Sequence, residues 1–339
     1  MFRVGLIGCG RISDAWLEAV RLHSDCRIAF AYDCDPRAAE RRAAETGARV
    51  ASSLHMVLNS PEVDVILVAT PPATHAAFVI AAARAGKHVL CEKPMALTLG
   101  DCRRMQYACI AAKVKIAVGH SLRFWGAFRT CRRLIAEGAI GTPLLGSIDR
   151  IRRSGNEDDA TDPSWRDDVL QSGGILLEEF IHELDFARVV FGEPASVSCA
   201  IVAKERLRMV HGLVTFESGA CVTLRVGRTV ALPVRGYWLA GTGGGLRFVS
   251  WRGPVEHFRP EQKEPVAVPC SEVSAYYLEL CDLLDAITHD RQPENSGANG
   301  EKNVGLGLAL YRAAETGQPV VFRDGMPLNL SDDYRGGPW

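Results

Sequence analysis

The first 120 residues alternate short apolar runs with segments of helical spacing, and this alternation restricts the fold more than any other feature. The apolar runs are Phe2–Ile7, Arg27–Tyr32, Asp64–Ala69, Lys87–Cys91 and Lys115–Val118. The segments between them are rich in alanine, arginine, glutamate and leucine; they are Ile12–Leu22, Pro36–Thr46, Ala73–Ala85 and Leu99–Ala112. Strands that alternate with helices form right-handed βαβ units. We therefore predict an α/β domain with a doubly wound parallel sheet over residues 1–122.

After about residue 122, strand-like runs follow one another without intervening helices; they are Ser196–Ala203, Met209–Phe216, Ala220–Val226, Gly236–Ala240 and Leu246–Val249. Such a series indicates an antiparallel sheet. An earlier strand and four helices complete the pattern, namely Leu144–Ile151, Ala127–Ala136, Ile175–Val190, Tyr276–Thr288 and Val304–Thr316. We predict an α+β domain with a large, mostly antiparallel open sheet over residues 123–323. Residues 324–339 are predicted to be a C-terminal tail, disordered or laid on the surface rather than reaching a neighbouring subunit.

The sequence GCGRIS, at residues 8–13, joins the first strand to the first helix. Gly8 permits a tight turn, and Gly10 lets the backbone approach a pyrophosphate at the helix N-terminus. Ser13 stands where glycine or alanine is usual, and it is small enough for helix–strand packing. This arrangement predicts a dinucleotide site that includes Gly8, Gly10, Arg11 and Ile12.

Asp33 ends the second strand, 20 residues beyond Ser13. A carboxylate there accepts hydrogen bonds from the adenosine ribose and repels a 2′-phosphate, so we predict NAD rather than NADP. Arg11 and Arg37 keep NADP possible, because either is able to contact that phosphate. Asp35, next to Pro36, is better placed than Asp33 to cap the second helix.

Two short motifs follow neighbouring strands of the predicted parallel sheet, at the edge where such sheets bind ligands. They are TPP at residues 70–72 and EKP at residues 92–94. Lys93 is positioned to hold or polarise a substrate oxygen and to help release a hydroxyl proton. Pro94 suggests a fixed geometry after this lysine, with a cis peptide bond between the two residues.

The segment GGILLEEFIHELD, at residues 173–185, carries acids and a histidine at helical spacing. Glu178 and His182 are four residues apart, so a continuous helix presents them on one face, with Asp185 nearly beside them. A carboxylate next to an imidazole suits a general acid/base. The segment lacks the second histidine of a zinc helix and the second copy of a di-iron motif, so we predict no metal.

These features together resemble the Gfo/Idh/MocA family, the relatives of glucose–fructose oxidoreductase and inositol dehydrogenase. The resemblance runs nearly end to end, and its most specific part is the EKP motif combined with the glycine pair, His182 and Asp185. It implies a Rossmann domain and hydride exchange between a nicotinamide and a hydroxyl or keto carbon of a sugar, modified sugar or cyclitol. The chain departs from the family pattern at Glu178, where aspartate is typical, and at Phe180, where glycine often stands.

The resemblance also implies roles for individual residues. It assigns catalysis at the substrate hydroxyl group to three residues, Lys93, His182 and Glu178. The nicotinamide pocket supplies further cofactor contacts, namely Thr70, Pro71, Pro72, His75, Glu92 and Lys93. Beyond the resemblance, we predict further substrate contacts at Arg123, Trp165, Arg166 and Asp185. Homodimers or homotetramers are expected to associate through the open face of the second sheet. Two alternatives stay open, an NAD-dependent glycoside hydrolase that oxidises its substrate transiently and a non-catalytic dinucleotide-binding sensor.

The composition restricts the classes of binding partner and the cellular location that we expect. The net charge is −1, which leaves no electrostatic footprint for nucleic acid or an anionic membrane. We interpret the basic run Arg150, Arg152 and Arg153 as a solvated strand edge rather than a binding patch. The eleven cysteines include no CxxC pair, and several lie in apolar runs, so we expect reduced thiols and a cytoplasmic location.

Overall fold

The computed structural model describes residues 1–153, 165–166, 168–204, 207–229 and 231–337. The chain forms two compact units. The N-terminal unit comprises residues 1–121 and 274–301, and the C-terminal unit comprises residues 122–273 and everything from residue 302 onward. This division differs from the linear boundary at residue 122, because the segment 274–301 returns to the N-terminal unit.

The N-terminal unit contains the predicted parallel sheet, with strands in the order β3-β2-β1-β4-β5-β6. Its strands are β1 Phe2–Ile7, β2 Cys26–Tyr32, β3 Arg49–Val50, β4 Val65–Val68, β5 His88–Cys91 and β6 Ile116–Val118. Its helices are α1 Ser13–Leu22, α2 Pro36–Thr46, α3 Leu54–Leu58, α4 Pro72–Arg84, α5 Leu99–Ala111 and α10 Ala275–Thr288. This order is that of dinucleotide-binding domains, and it confirms the predicted fold class.

Apolar burial explains why α10 belongs to this unit. The strands β4 and β5 are almost wholly buried, as expected for a parallel sheet covered by helices on both faces. On one face, Trp16 of α1 lies in a core cluster with Leu280, Leu283 and Leu284 of α10. The Trp16 ring also meets the edge of Tyr276 at a centroid distance of 4.9 Å. Each buried leucine of α10 contributes about 1.5–3 kcal/mol to this packing.

The C-terminal unit contains a ten-stranded sheet in the order β14-β13-β12-β11-β7-β10-β9-β8-β15-β16. Its first strands are β7 Pro143–Arg153, β8 Pro194–Lys204, β9 Leu207–Phe216, β10 Cys221–Thr229 and β11 Val234–Gly241. The later strands are β12 Gly244–Phe248, β13 Val255–Phe258, β14 Val266–Val268, β15 Val320–Arg323 and β16 Met326–Pro327. The pairing of β7 with β10 is parallel, and the other strand pairs are antiparallel, which confirms the mostly antiparallel sheet.

Helices cover one face of this sheet, called the inner face below; they are α6 Gly126–Ala136, α7 Val169–Ser172, α8 Gly174–Glu178 and α9 Ile181–Phe191. Phe128, Phe186, Tyr237 and Phe248 form an aromatic cluster there, with ring centroids 4.4 to 6.3 Å apart. All four rings are buried, so they fix the helices on the sheet. Helix α11, Gly297–Thr316, begins in the N-terminal unit and ends in the C-terminal unit.

The predicted helix Ile175–Val190 is wrong in one respect, because the structure divides it at residues 179–180 into α8 and α9. The carbonyl oxygen of Glu179 accepts a hydrogen bond from the Arg150 guanidinium. The N–H of Glu183, which a continuous helix would donate to that carbonyl, bonds the Phe180 carbonyl instead. Phe180 itself is fully buried, so the break is held by both packing and charge.

The tail lies on the C-terminal unit as far as residue 337. It pairs with β15 through β16, and the Arg312 guanidinium lies 5.8 Å from the centre of the Tyr334 ring. A Cβ at Gly336 would come within 2.6 Å of the Tyr311 ring, so glycine allows this close approach. Of the two expectations for the tail, these contacts match the surface-laid one.

Candidate functional site

The glycine turn of the N-terminal unit combines one crowded glycine with one open glycine. Gly8 has φ +95°, and a Cβ there would lie 2.6 Å from the backbone carbonyl carbon and oxygen of Ala69. Gly8 is therefore demanded by the fold itself, since the turn runs directly over the end of β4. A Cβ at Gly10 would meet no protein atom within 4 Å. Gly10 thus leaves free space in front of the N-terminus of α1, which fits a bound pyrophosphate.

Two side chains, those of Ser13 and Arg42, hold the glycine turn in place. Ser13 is fully buried, and its hydroxyl donates to the Gly10 carbonyl at 2.6 Å. Arg42 donates to the same carbonyl at 3.3 Å and also pairs with Asp14 and Glu45. Ser13 therefore fixes the turn through a hydrogen bond that glycine or alanine at this position could not form. Arg11 is exposed beside it.

Asp33 is the acid that faces the glycine turn. One of its carboxylate oxygens accepts from the backbone N–H of Cys9 at 2.7 Å, and the other accepts from Asp35 N–H at 2.9 Å. The carboxylate is partly exposed at the end of β2, where it fits the ribose of a dinucleotide. Asp35 caps α2 by accepting a hydrogen bond from Arg37 N–H. This confirms the prediction that Asp35 is the better placed of the two acids to cap the helix.

The EKP motif leaves β5 at the same sheet edge as the glycine turn, because both β1 and β5 run parallel to β4. Glu92 is buried; its carboxylate accepts from the Trp16 indole N–H at 2.7 Å and from Lys93 N–H at 3.0 Å. The peptide bond between Lys93 and Pro94 is cis, as the sequence suggested. Glu92 therefore fixes the backbone of Lys93 to α1.

His75 was expected among the cofactor contacts, and the structure encloses it instead. Its ring is fully buried, with Nδ1 2.8 Å from the carbonyl oxygen of Pro94 and Nε2 2.8 Å from that of Thr70. Burial lowers the pKa of His75 below its ordinary value, which favours the neutral ring. The residue therefore ties the TPP turn to the EKP turn. Pro71 is the N-cap of α4, and Pro72 its first residue.

The predicted acid/base segment lies in the C-terminal unit. His182 is buried in the first turn of α9, while Glu178 ends α8. The prediction that one continuous helix presents both on a single face is wrong, because the chain breaks between them. The Glu178 carboxylate instead pairs with Arg166 at 3.0 Å, and the Arg166 guanidinium lies 4.5 Å from the Trp165 ring centre.

Arg123 and Asp185, both predicted to contact substrate, contact each other. Arg123 donates twice to the Asp185 carboxylate, at 2.6 and 2.8 Å. Asp185 is 1 % exposed and also accepts from the Asn303 amide at 2.6 Å. A buried bidentate pair of this kind fixes the second turn of α9, one turn beyond His182.

Sequence reasoning missed a buried polar network on the inner face. Arg150 belongs to the run interpreted as a solvated edge, but its side chain is 8 % exposed and pairs with the fully buried Glu183 at 3.1 Å. Tyr237 donates to Glu183 at 2.9 Å, and the Trp251 indole donates to Tyr237 at 2.8 Å. β7 is buried without a break from Gly146 to Arg150 and is exposed at Arg152 and Arg153, so the run of arginines spans the end of the buried part of the strand.

Within the described part of the chain, no group of three or more histidine, cysteine, aspartate or glutamate side chains is arranged to hold a metal ion. No helix within the same residues is long and apolar enough to cross a membrane.

Comparison with known proteins identifies both parts of the chain. Residues 2–120 match the family model "Oxidoreductase family, NAD-binding Rossmann fold", and residues 128–247 match the "GFO/IDH/MocA C-terminal domain". The chain is 30% identical over 337 residues to 1,5-anhydro-D-fructose reductase of Ensifer adhaerens, covering 96% of this chain and 100% of that protein.

Two solved structures have a similar fold over nearly the whole chain, each with 25% sequence identity. Aldose-aldose oxidoreductase from Caulobacter crescentus, complexed with glycerol, has a TM-score of 0.84 and covers 95% of this chain and 99% of its own. The WlbA dehydrogenase from Bordetella pertussis, in complex with NADH and UDP-GlcNAcA, has a TM-score of 0.82 and covers 97% and 98%.

Proposed function

Because the chain belongs to the Gfo/Idh/MocA family of oxidoreductases and carries its NAD-binding Rossmann domain, we propose that it interconverts a CH–OH group and a carbonyl on a sugar, modified sugar or cyclitol. One observation carries the proposal. The open space at Gly10 and the fixed backbone of Lys93 lie at the same edge of one parallel sheet. The substrate class follows from the relatives, whose names include an anhydrofructose reductase and an aldose oxidoreductase.

NAD is the proposed cofactor in preference to NADP. When bound, its nicotinamide ring accepts or donates the hydride. The Gly10 side of the turn offers the space for the pyrophosphate, and Asp33 offers acceptors for the ribose hydroxyls. A carboxylate at this position repels a 2′-phosphate.

The chain's own residues handle the proton. We assign the general base to the imidazole of His182, which takes the substrate hydroxyl proton in the oxidation and returns it in the reduction. The Lys93 ammonium stabilises the negative charge that develops on the same oxygen. Glu178, whose carboxylate also pairs with Arg166, orients the His182 ring or balances its positive charge when it is protonated. These three roles rest on the EKP and GG…H..D motifs.

The outer face of the ten-stranded sheet, opposite the helices, is the proposed oligomer interface. Three large apolar side chains on it, Leu145, Leu213 and Trp238, are 52%, 41% and 42% exposed. Exposed apolar side chains grouped on one sheet face are typical of subunit contacts. We also propose a cytoplasmic location, where cysteines stay reduced; burial raises the pKa of Cys9, Cys26 and Cys109 to about 12, so these thiols are unreactive.

The test is a panel of sugars, sugar acids, cyclitols, the corresponding keto compounds and glycosides, with NAD and NADP in parallel. Absorbance at 340 nm reports the nicotinamide, and chromatography of the products reports glycoside cleavage. The proposal expects a stoichiometric change in nicotinamide absorbance with at least one compound, and faster turnover with NAD. Cleavage of a glycoside with no net change at 340 nm would instead establish the hydrolase alternative. Nucleotide binding without turnover on the whole panel would establish the sensor.

A further inference from the structure

The N-terminus of α8 is held by a side chain from α11. The hydroxyl group of Tyr311 accepts a hydrogen bond from the Leu176 N–H at 2.9 Å and donates one to the Gly173 carbonyl at 3.2 Å. The Tyr311 side chain is buried, and so are both hydrogen bonds. This hydroxyl therefore ties α11 to the start of the segment that carries Glu178 and His182.

The local sequence explains why the partner comes from another helix. The first N–H groups of a helix have no partner within it, and a serine, threonine, aspartate or asparagine at the N-cap usually supplies one. The N-cap of α8 is Gly173, at φ +78°, which has no side chain for this purpose. Ser172 accepts from the Gly174 N–H at 3.1 Å. The Tyr311 hydroxyl accepts from the Leu176 N–H and so replaces the missing cap.

Helix α11 also approaches the segment one turn before Tyr311. A Cβ at Gly307 would lie 2.6 Å from the Leu177 side chain and 3.5 Å from that of Leu184. Gly307 and Tyr311 are four residues apart, so they lie on the same face of α11. This face therefore packs against both α8 and α9, on either side of the break between them.

The C-terminal tail covers the Tyr311 ring. A Cβ at Gly336 would lie 2.6 Å from one carbon of this ring and 3.1 and 3.2 Å from two others. The next residue of α11, Arg312, places its guanidinium 5.8 Å from the centre of the Tyr334 ring. Burial raises the pKa of Tyr311, so the hydroxyl keeps the proton that it donates to the Gly173 carbonyl. The tail therefore encloses the side chain that holds α8.

We propose that Tyr311 is a positioning residue for the reaction and that the C-terminal tail holds Tyr311 in place. This rests on the proposed function in taking His182 as the general base. Leu176, which Tyr311 binds, precedes Glu178 by two residues and His182 by six. The far end of the segment is anchored to β7 by the Arg150 guanidinium. A helix of five residues is not stable by itself, so these two anchors determine where Glu178 and His182 lie relative to each other.

The first measurement is hydrogen–deuterium exchange of the full chain, which needs no substrate. Tyr311→Phe keeps the ring and removes both hydrogen bonds, so peptides covering residues 173–180 should exchange about fivefold faster. Peptides from α6, in the same unit, should exchange as in the wild type, which excludes a general loosening. Tyr107→Phe is the matched control, because the Tyr107 side chain is 76% exposed, and it should change neither set of peptides.

Gly336→Ala tests the tail in the full-length chain. The added methyl group overlaps the Tyr311 ring, so the end of the tail should move away and exchange over residues 173–180 should rise about twofold or more. Gly317→Ala is the control, because Gly317 also has a positive φ, +64°, and its Cβ would meet no atom within 4 Å. Exchange over residues 173–180 that stays at the wild-type rate in Gly336→Ala overturns the part of the proposal that concerns the tail.

The second measurement separates a positioning role from a purely structural one. With a substrate identified in the panel, Tyr311→Phe should lower kcat about tenfold while the KM for NAD stays within about twofold of the wild type. A lower Tm with an unchanged kcat would show that Tyr311 only stabilises the fold, and this result overturns the proposal. Wild-type exchange over residues 173–180 in Tyr311→Phe overturns it as well.

The two proposals fail separately. Turnover by the wild type that Tyr311→Phe does not slow removes the positioning role and leaves the oxidoreductase function intact. A wild type that turns over no compound, together with faster exchange in Tyr311→Phe, removes the oxidoreductase function and supports Tyr311 as the residue that holds α8.

Discussion

Replacing each glycine of the turn by alanine separates the demands of the fold from those of the cofactor. Gly8→Ala places a methyl group 2.6 Å from the Ala69 backbone, at a φ of +95° that alanine avoids. Gly10→Ala places the same group where no protein atom lies within 4 Å. The first change should therefore disturb folding, and the second should disturb only dinucleotide binding.

The magnitudes follow from these distances. At Gly8 the strained backbone and the overlap together cost about 2–4 kcal/mol of unfolding free energy. At Gly10 the free energy of unfolding should change by less than about 1 kcal/mol, and alanine gains slightly from the lower entropy of the unfolded chain. A methyl group in front of α1 should weaken NADH binding by at least about tenfold, or 1.4 kcal/mol.

Thermal unfolding without nucleotide and a fluorescence titration with NADH measure the two effects on the same samples. Gly10→Ala should unfold with the wild type and bind NADH poorly, whereas Gly8→Ala should lose several degrees of Tm. If Gly10→Ala binds NADH with wild-type affinity, the turn does not cradle the pyrophosphate, and the reasoning from open space is refuted.

Three further predictions concern other parts of the chain. Asp33→Asn removes the charge that repels a 2′-phosphate, so the ratio of kcat/KM for NAD to that for NADP should fall at least about tenfold, and an unchanged ratio would remove Asp33 from cofactor selection. Because burial lowers the pKa of His75 below 6.5 in the folded protein, stability is retained above pH 6.5 and is lost as the pH falls through the folded pKa. Tm should therefore fall more between pH 7 and pH 5 in the wild type than in His75→Asn, and parallel Tm curves would contradict this. Leu283→Ala should cost about 2–5 kcal/mol in denaturant unfolding, because Leu283 is fully buried between α10 and the parallel sheet, and a cost under 1 kcal/mol would mean that α10 packs loosely.

Local sequence patterns were sufficient to predict the parallel sheet and the edge of it that carries the glycine turn. Burial on both faces makes each strand a nearly continuous apolar run, and the glycine turn must follow β1 directly, so both can be identified from neighbouring residues. The same holds for Asp35, whose cap of α2 needs only the proline that follows it. The two short elements β3 and α3 were missed, because two to five residues give no periodic signal.

Long-range contacts explain what the sequence could not indicate. The helix break at Glu179 depends on Arg150, 29 residues earlier, so helical periodicity alone predicted one continuous helix. The assignment of α10 to the N-terminal unit depends on Leu280 and Leu284 meeting Trp16, more than 260 residues away in the chain. The resemblance placed His75 among the cofactor contacts; the enclosure of its ring depends on carbonyl groups from two separate turns, which the sequence does not bring together.

The most direct test of the assigned chemistry is the turnover of Lys93→Met with a confirmed substrate, measured at 340 nm beside a titration with NADH. Lys115→Met is the control, since Lys115 pairs with the highly exposed Asp290 and should contribute little. We predict that Lys93→Met lowers kcat by more than about tenfold, or 1.4 kcal/mol of barrier, with little change in NADH affinity. Turnover that persists within tenfold of the wild type would contradict the role given to this lysine.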